Sequence, residues 1–159
     1  MRKSRQALIT ETGYAMQAYQ RSTQAFDDAV GRAIGLNPTD LRCLDWLADG
    51  PKTAGEISVG TGLSSAATTT LIDRLERKGF VRRVRDPGDR RKVLVEMTPD
   101  GAARVGSFYG RLVEEGTGLL KDITDEELEK MREWLKAARE LTDRHRERIA
   151  AETGGRPIA

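Results

Sequence analysis

Apolar residues recur every three to four positions through most of the chain, which is the spacing of one face of an α-helix. The first such segment runs from Lys3 to Ile34 and predicts one long helix, which Gly35 ends. Its apolar positions are Leu8, Tyr14, Ala18, Phe26, Val30 and Ala33. The same spacing returns in the last third of the chain, so the pattern predicts a mainly helical protein.

Two shorter helices are predicted next. Asn37 and Pro38 fit the N-cap and the first position of a helix that ends at "DGP". Its apolar positions are Leu41, Leu44 and Leu47. Thr53 and Glu56 have the spacing of a capping box, which predicts the start of a short helix ending in the turn "GTGLS".

A fourth helix follows that turn. Ser64 fits its N-cap, the helix is expected from Ser65 to about Lys78, and Gly79 fits its C-terminal stop. Its apolar positions are Ala67, Leu71 and Leu75, with Ile72 beside them. Two short helices joined by such a turn form the helix-turn-helix pattern, which small helical bundles also contain.

A β-hairpin is predicted after this helix. The segments "FVRRV" and "KVLVEM" are rich in valine with alternating polar positions, and "RDPGDRR" between them contains the turn signal Pro-Gly. We expect Asp86 and Gly88 to shape the turn. The residues expected to bury one face of the hairpin on the helices are Val81, Val84, Val93 and Val95.

Two long helices are predicted at the end of the chain. Thr98 and Pro99 fit the start of the first, which extends to about Leu120. A bend or close packing against another backbone is predicted by its glycines, Gly106, Gly110, Gly116 and Gly118. Thr124 and Glu127 form a second capping box, which starts a final helix. The apolar positions of that helix are Leu128, Met131, Leu135, Ala138 and Leu141.

Composition narrows the class of protein. The chain has 159 residues, of which 33% are charged and 5% aromatic, and this fits a helix-rich protein better than a β-sandwich. No stretch approaches the ~20 apolar residues of a membrane span, and the N-terminal segment lacks the apolar run of a signal peptide. We therefore expect no membrane contact and a cytoplasmic location.

The single cysteine, Cys43, and the single histidine, His145, limit the chemistry that the chain can perform. They exclude an intramolecular disulfide and a zinc site with the usual ligand spacing. A Cys–His nucleophilic pair has no local support. We expect Cys43 to be a small core residue and His145 to lie on a solvated helix face, so the sequence predicts no cofactor, no metal site and no enzyme.

Positive charge is concentrated between Arg74 and Lys92. This segment contains nine basic and three acidic residues, a net charge of +6; since the whole chain carries +2, the remainder carries −4. Such an asymmetry favours an anionic partner at one surface. A helix-turn-helix followed by a basic hairpin is a winged helix, so double-stranded DNA is the expected partner.

The predicted DNA contacts lie on the fourth helix and on the hairpin tip. Short hydroxyl side chains and free N–H groups near the helix start suit phosphates and base edges. Arginine at the tip suits a narrow minor groove, and we expect Asp89 to hold the Arg91 guanidinium by paired hydrogen bonds. Arg74 is expected to reach the sugar-phosphate backbone or a guanine. The full predicted set is Ser64, Ser65, Ala66, Thr68, Thr69, Thr70, Arg74, Asp89, Arg90, Arg91 and Lys92.

The segment from Gly62 to Val105 resembles the MarR family of winged-helix transcriptional regulators. The motifs that carry the resemblance are the "GLS" turn, "LERKG" at the end of the fourth helix, "DPGDRR" at the hairpin tip and "MTPDG" after it. Met97 stands where the family usually has leucine. The resemblance covers nearly the whole chain in the same element order.

The resemblance implies an obligate homodimer with an interface built from the N-terminal helix and the last two helices. The apolar stripes of these helices are too large for a small winged helix to bury alone, although an intrachain bundle would also bury them. The expected organisation is a single MarR-type domain over residues 1–150, with dimerisation helices over 3–34 and 105–148. The winged helix-turn-helix DNA-binding region is expected over 37–100, and a disordered tail over 151–159.

The resemblance also implies regulation by an effector. Many family members bind small aromatic or anionic ligands between the dimer region and the winged helix, and then lose affinity for DNA. Others sense oxidants through a cysteine near the start of the first helix, where this chain has none. A buried Cys43 without a nearby cation is expected to be inert, which leaves a small-molecule effector as the expectation by elimination.

The expected function is therefore a sequence-specific DNA-binding transcriptional regulator, a homodimeric repressor that an effector releases from a pseudo-palindromic operator. The alternative is a winged-helix protein-interaction module without sequence-specific DNA binding. In that case the basic hairpin is merely solvated and Thr68–Thr70 form an ordinary exposed helix face. The +6 segment argues against the alternative, and strong salt dependence of binding to duplex DNA separates the two.

Overall fold

The computed structural model of the chain describes residues 3–152. In this part of the chain the helices are α1 (Arg5–Ile34), α2 (Pro38–Ala48), α3 (Ala54–Thr61), α4 (Ser65–Arg77), α5 (Pro99–Gly118) and α6 (Asp125–Glu152). The strands are β1 (Lys52–Thr53), β2 (Val81–Arg85) and β3 (Val93–Met97). The predicted class, mainly helical with a small β-hairpin and a winged helix-turn-helix between long terminal helices, is confirmed.

The described residues divide into two compact units. One ends at Arg111 and contains α1 to α4, the sheet and the first part of α5; the other begins at Leu112 and contains the end of α5 and α6. The winged helix-turn-helix lies entirely within the first unit. The expected assignment of residues 1–150 to a single MarR-type domain stays a prediction.

Local side-chain caps set the helix starts. The Asn37 side-chain oxygen accepts the N–H of Asp40 at 2.8 Å, and the Asp40 carboxylate accepts the N–H of Asn37 at 3.1 Å. The same reciprocal pattern starts α3 at Thr53 and Glu56, where the two hydrogen bonds from Thr53 lower the pKa of Glu56. It also starts α6. These starts were predictable because each cap uses residues only three positions apart.

The sheet is antiparallel, with strand order β1-β3-β2. β2 pairs with β3 over five residues, from Val81 opposite Met97 to Arg85 opposite Val93. β1 pairs with the other edge of β3 and was not predicted. Its two residues are too few to give an alternating pattern, so only the tertiary pairing reveals the strand.

The register corrects the prediction that four valines share one face of the hairpin. Residues directly opposite each other share a face, and neighbours along a strand alternate. Val81 and Val95 are buried on the core face. Val84 is opposite Leu94 and lies on the other face, while Val93 shares the core face by register but is 53% exposed near the tip.

The core of the first unit joins α2, α3, α4 and the sheet. Its fully buried apolar side chains include Cys43, Leu44, Ile57, Leu71, Ile72, Leu75 and Phe80. The start of α5 packs against the backbone of Phe80, and a Cβ at Gly101 would lie 2.4 Å from the Phe80 carbonyl oxygen. The close packing predicted for later glycines of α5 therefore occurs at Gly101. At Gly106, Gly110, Gly116 and Gly118 a Cβ would meet no atom of the described chain within 4 Å.

The second unit exposes its apolar side chains. No residue of α6 is buried. The exposed side chains on this helix include Met131, Trp134, Leu135, Leu141 and Ile149.

The helix continues to Glu152, so residues 151 and 152 of the expected tail are helical, and residues 153–159 lie outside the described part. Within residues 3–152, no helix combines the length and the apolar character needed to cross a membrane.

Candidate nucleic-acid interface

The N-terminal half of α4 presents a small, exposed, hydroxyl-bearing surface. Ser64 caps the helix, and Ser65, Ala66, Thr69 and Thr70 are all exposed. The Thr69 and Thr70 hydroxyls each donate to the carbonyl oxygen four residues earlier, at 3.1 Å. Because those protons are used, the two side chains offer oxygen lone pairs and methyl groups. Such groups suit the amino groups of bases and the methyl group of thymine.

Thr68 does not belong to this surface. Its side chain is 1% exposed, and its hydroxyl donates to the Ser64 carbonyl oxygen at 2.9 Å. It lies on the same buried stripe as Leu71 and Leu75, whereas Ala67, predicted to be apolar and inward, is exposed. The predicted DNA contact at Thr68 is therefore corrected. A threonine whose hydroxyl is satisfied by its own helix can be buried at little cost, which a polar–apolar pattern does not reveal.

Arg74 is held by α2. Its Nε and Nη2 atoms donate to one Asp40 oxygen at 3.1 and 2.5 Å, and the Asp40 side chain is 1% exposed. The other Asp40 oxygen is bound to the N–H of Asn37. The structure thus places the guanidinium on a buried carboxylate instead of leaving it free for the sugar-phosphate backbone. This ion pair fixes α4 against α2.

The base of the wing is tied to α4 by a second arginine. The Arg83 guanidinium donates to Asp73 at 2.5 Å and also to Glu76, and the hydrogen bond to Asp73 raises the pKa of Arg83. Glu76 also accepts the backbone N–H of Arg83 at 3.2 Å. Sequence reasoning missed this clamp. The available signal was a pair of carboxylates three residues apart on one helix, facing a basic strand.

The wing tip is shaped by two aspartates. The Asp86 carboxylate accepts the N–H of Gly88 at 2.7 Å, as predicted for the turn. The Asp89 carboxylate accepts the backbone N–H of Arg91 at 3.1 Å. No ion pair joins Asp89 to a guanidinium in the described chain, so the prediction that Asp89 holds the Arg91 side chain is corrected: Asp89 fixes the backbone of the tip.

Positive charge that is free of acidic partners lies at the wing tip. Arg82 is paired with Glu96 at 2.6 Å, so the middle of the wing is partly neutralised. Within residues 3–152, no carboxylate lies within ion-pair distance of Arg90 or Arg91. Arg90, Arg91 and Lys92 are all exposed. Part of the charge of the +6 segment is therefore available at its far end.

Comparison with known proteins identifies this arrangement. A family model described as "MarR family" matches residues 34–92, which include all eleven predicted DNA contacts. A Bacillus subtilis protein named as an uncharacterized HTH-type transcriptional regulator, YcgE, is 38% identical over 128 residues, covering 80% of this chain and 83% of that protein. The chain belongs to the MarR family. It is thus a DNA-binding transcriptional regulator of the winged helix-turn-helix class, as the sequence predicted.

Solved structures have the same MarR-family fold. The transcriptional regulator Tm0710 from Thermotoga maritima superposes with a TM-score of 0.61 at 25% identity, over 86% of this chain and 96% of that one. A point mutant of S. aureus MepR, bound to an oligodeoxyribonucleotide, superposes with a TM-score of 0.55 at 19% identity, over 82% of this chain and 97% of that one.

The single cysteine and the single histidine of this MarR-family chain lie where the sequence predicted them. Cys43 is fully buried, and burial raises the pKa of its thiol to about 12, with a further contribution from Asp40. His145 is exposed on α6, where its Nδ1 atom is 2.7 Å from a guanidinium nitrogen of Arg148. Both environments match the sequence predictions of a core cysteine and a solvated histidine.

Proposed function

We propose that this MarR-family protein is a homodimeric repressor that binds a pseudo-palindromic operator and is released from it by a small-molecule effector. Family membership establishes a DNA-binding regulator. The observation that carries the operator-binding part of the proposal is the pairing of an exposed helix start on α4 with a basic wing tip, where Arg90 and Arg91 have no acidic partner within residues 3–152. A helix start and a basic wing tip can contact neighbouring grooves and phosphates of the same DNA duplex.

The N-terminal half of α4 is proposed to enter the major groove. The N–H groups of Ser65 and Ala66 belong to the first helical turn and have no carbonyl partner within the helix, so they suit a phosphate oxygen. Thr69 and Thr70, with Ser64, would contact base edges and the adjoining backbone. Their short side chains permit a close approach of the helix.

The wing tip is proposed to enter the neighbouring minor groove. Arg90 and Arg91 would supply the charge that a narrow groove attracts, and Lys92 would contact phosphate. Asp89 would act indirectly, since its carboxylate fixes the backbone of Arg91. The carboxylate itself repels DNA, so its contribution is geometric.

A second copy of the chain is the proposed partner of the terminal helices. In the first unit, Leu8, Ile9, Tyr14 and Tyr19 of α1 and Phe108 of α5 are exposed. In the second unit, large apolar side chains of α6 are exposed at helical spacing. Large exposed apolar patches mark protein interfaces, and we propose that these side chains contribute to such patches. We therefore assign residues 3–34 and 105–148 to dimerisation and residues 37–100 to DNA binding.

Repression would result from operator binding by the dimer, and release from binding of the effector. A two-fold dimer presents two α4 helices to half-sites about one helical turn apart, so operator symmetry mirrors protein symmetry. Occupation of such a site beside a promoter excludes the transcription machinery. An effector that binds the free form more tightly than the DNA-bound form would lower operator affinity by its differential affinity alone.

The experiment is a titration of full-length protein with an operator selected from genomic DNA, combined with light scattering. We expect a free protein of twice the mass of one chain at micromolar concentration, and one dimer per operator. Scrambling one half-site should weaken binding strongly, because half of the contacts are lost. A monomeric free protein, or equal affinity for intact and half-scrambled sites, would contradict the dimeric mode; equal weak binding to all DNA would favour the protein-interaction alternative.

A further inference from the structure

Two adjoining cavities lie in the first unit among α1, α2 and α5. The larger has a volume of about 340 Å³ and the smaller about 210 Å³. Leu41, Asp45 and Tyr109 line both, so the two form one divided space. The combined size is that of a small-molecule site.

The larger cavity is lined with an excess of negative charge. Asp27, Asp28 and Asp45 face it, against the single guanidinium of Arg42. Arg42 donates to the Thr61 carbonyl oxygen at 3.4 Å, and so is drawn towards α3. Desolvation, followed by repulsion from neighbouring aspartates including Asp27, raises the pKa of Asp45. The lining therefore carries more negative than positive charge, with three carboxylates against one guanidinium.

Tyr109 stands at the junction of the two cavities and is held in place. Its hydroxyl donates to Asp27 at 2.7 Å, and its ring meets the ring of Phe26 edge to face at a centroid distance of 5.3 Å. Burial and the neighbouring Asp27 raise its pKa, so the phenol stays neutral and adds no charge. A fixed aromatic face beside carboxylates is the arrangement that attracts organic cations.

The smaller cavity is apolar. Apart from the shared residues, it is lined by Leu44, Ala48, Met97 and Val105. These side chains offer no hydrogen bond to a polar ligand, so this end suits a hydrocarbon or aromatic group. The two ends together define a ligand with one apolar end and one charged end.

We propose that the joined cavities bind a small organic cation, with its apolar group beside Leu44, Met97 and Val105 and its charge beside Asp27, Asp45 and the Tyr109 ring. The proposal rests on the effector-regulated repressor proposed above and names the chemical class of the effector. Of the small aromatic or anionic effectors that the family resemblance implied, it excludes the anionic ones and keeps an aromatic or other apolar group. An anion would meet three carboxylates at the larger cavity, and that repulsion opposes its binding.

The cavity is connected to α4, the helix proposed to enter the major groove, through α2. Leu41 and Asp45 line it, and Asp40 on the same helix holds Arg74 of α4 at 2.5 Å. Lys78, at the C-terminal cap of α4, donates to the carbonyl oxygen of Gly35, between α1 and α2. A ligand that changes the packing of α2 on α1 would therefore change the position of α4.

The test is calorimetric titration of the full-length protein, at constant ionic strength and without DNA, with benzyltrimethylammonium and with benzoate. The first is a permanent aromatic cation and the second is an aromatic anion. We expect the cation to bind at least about tenfold more tightly than the anion, a difference of about 1.4 kcal/mol. The double variant Asp27→Asn/Asp45→Asn should weaken cation binding about tenfold, while Asp122→Asn/Asp125→Asn, an equal charge change outside the cavity, should not.

Asparagine at position 27 keeps an oxygen that can accept from Tyr109, so the double variant should retain the cavity. If the double variant fails to fold, Asp45→Asn alone replaces it, because Asp45 is exposed and its substitution should not disturb folding. We expect this single substitution to weaken cation binding about fivefold. Tighter binding of benzoate, no binding of the cation at millimolar concentration, or undiminished binding by the aspartate variants would overturn the inference.

Titration of the operator complex with the same cation separates the proposed ligand class from the proposed effector-regulated repressor. Binding without release would support the ligand class and contradict effector release, whereas absence of operator binding would contradict the repressor without affecting the DNA-free titration.

Discussion

Adjacent threonines on α4 show how strongly the role of a side chain depends on which side of a helix it occupies. Thr68 and Thr69 have the same chemistry, and each hydroxyl donates to the carbonyl oxygen four residues earlier. Thr68 is buried on the core stripe, whereas Thr69 is exposed on the face proposed to meet DNA. We therefore expect Thr68 to affect stability and Thr69 to affect DNA recognition, and the two effects can be measured separately.

We expect Thr68→Ala to lower the free energy of unfolding by about 1–2 kcal/mol, because a buried methyl group and a buried hydrogen bond are lost. Operator affinity of the folded fraction should change little. Thr69→Ala should show the reverse, with near-wild-type stability and weaker operator binding. Urea denaturation and fluorescence anisotropy with labelled operator measure the two properties, and stronger loss of DNA affinity in the Thr68 variant would refute this division.

Arg91 carries the prediction for the wing tip. We expect Arg91→Ala to weaken operator binding by about 1–3 kcal/mol and to reduce the salt dependence of binding by about one unit of slope. The reason is loss of an exposed guanidinium that has no acidic partner in the described chain. Arg132→Ala on α6, where the arginine is exposed beside Glu133, is the control. Equal operator affinities for the wild type and the Arg91 variant would exclude the proposed role of the tip.

Cys43 provides a test of redox inertness. Burial raises its pKa from 9.0 to about 12, so the folded protein retains the thiol proton at pH values where the unfolded chain loses it. The corresponding stability is fully present below about pH 9 and is lost as the pH rises towards 12. At pH 8 we expect an aromatic disulfide reagent to label the folded protein far more slowly than the urea-unfolded chain. Equally fast labelling of both would reopen thiol-based sensing.

At the scale of elements, two arginines hold α4 in place by ion pairs to the elements on either side of it. Arg74, on α4, reaches back to α2, and Arg83, on the wing, reaches across to α4. These contacts set the relative positions of α4 and the wing in the free protein. Pre-set positions reduce the ordering cost of binding.

The Arg74–Asp40 pair allows a sharp test of this structural role. Arg74→Ala would leave a carboxylate that is 1% exposed without its cation, so we expect the free energy of unfolding to fall by about 3 kcal/mol. Adding Asp40→Asn should restore part of the loss, because the uncompensated charge is removed while an acceptor for Asn37 remains. Denaturant melts of both single variants and the double variant complete the cycle. Unchanged stability in Arg74→Ala together with lost operator binding would instead make Arg74 a DNA contact.

Elements that depend on near neighbours in sequence were predictable, and contacts between elements were not. The capping boxes at Thr53 and Thr124 and the Asp86–Gly88 turn each involve residues at most three positions apart. Strand β1 and the ion pair of Arg74 join residues more than thirty positions apart, so no local pattern encodes them. The candidate site follows the same division: its location was predictable, while the assignments of Thr68, Arg74 and Asp89 required the packed structure.

The whole molecule combines a winged helix with long helices whose apolar faces exceed what one chain buries. α1 buries only Val30 and Gly31, and α6 buries no residue at all. A chain with a net charge of +2 also concentrates +6 in one segment. The proposed dimer would account for both asymmetries, with its apolar surface against a second copy and its basic surface against DNA.

Binding of the full-length protein to duplex DNA from upstream of its own gene, compared with shuffled DNA of equal composition across a salt series, tests this account most directly. We expect tight binding to the upstream DNA, a large preference over the shuffled duplex, and an affinity that falls steeply as salt rises, because phosphate contacts release counterions. Weak binding, equal for the two duplexes, would contradict the presence of an operator in the upstream DNA. If DNA selected from the whole genome gave the same result, it would contradict a sequence-specific repressor.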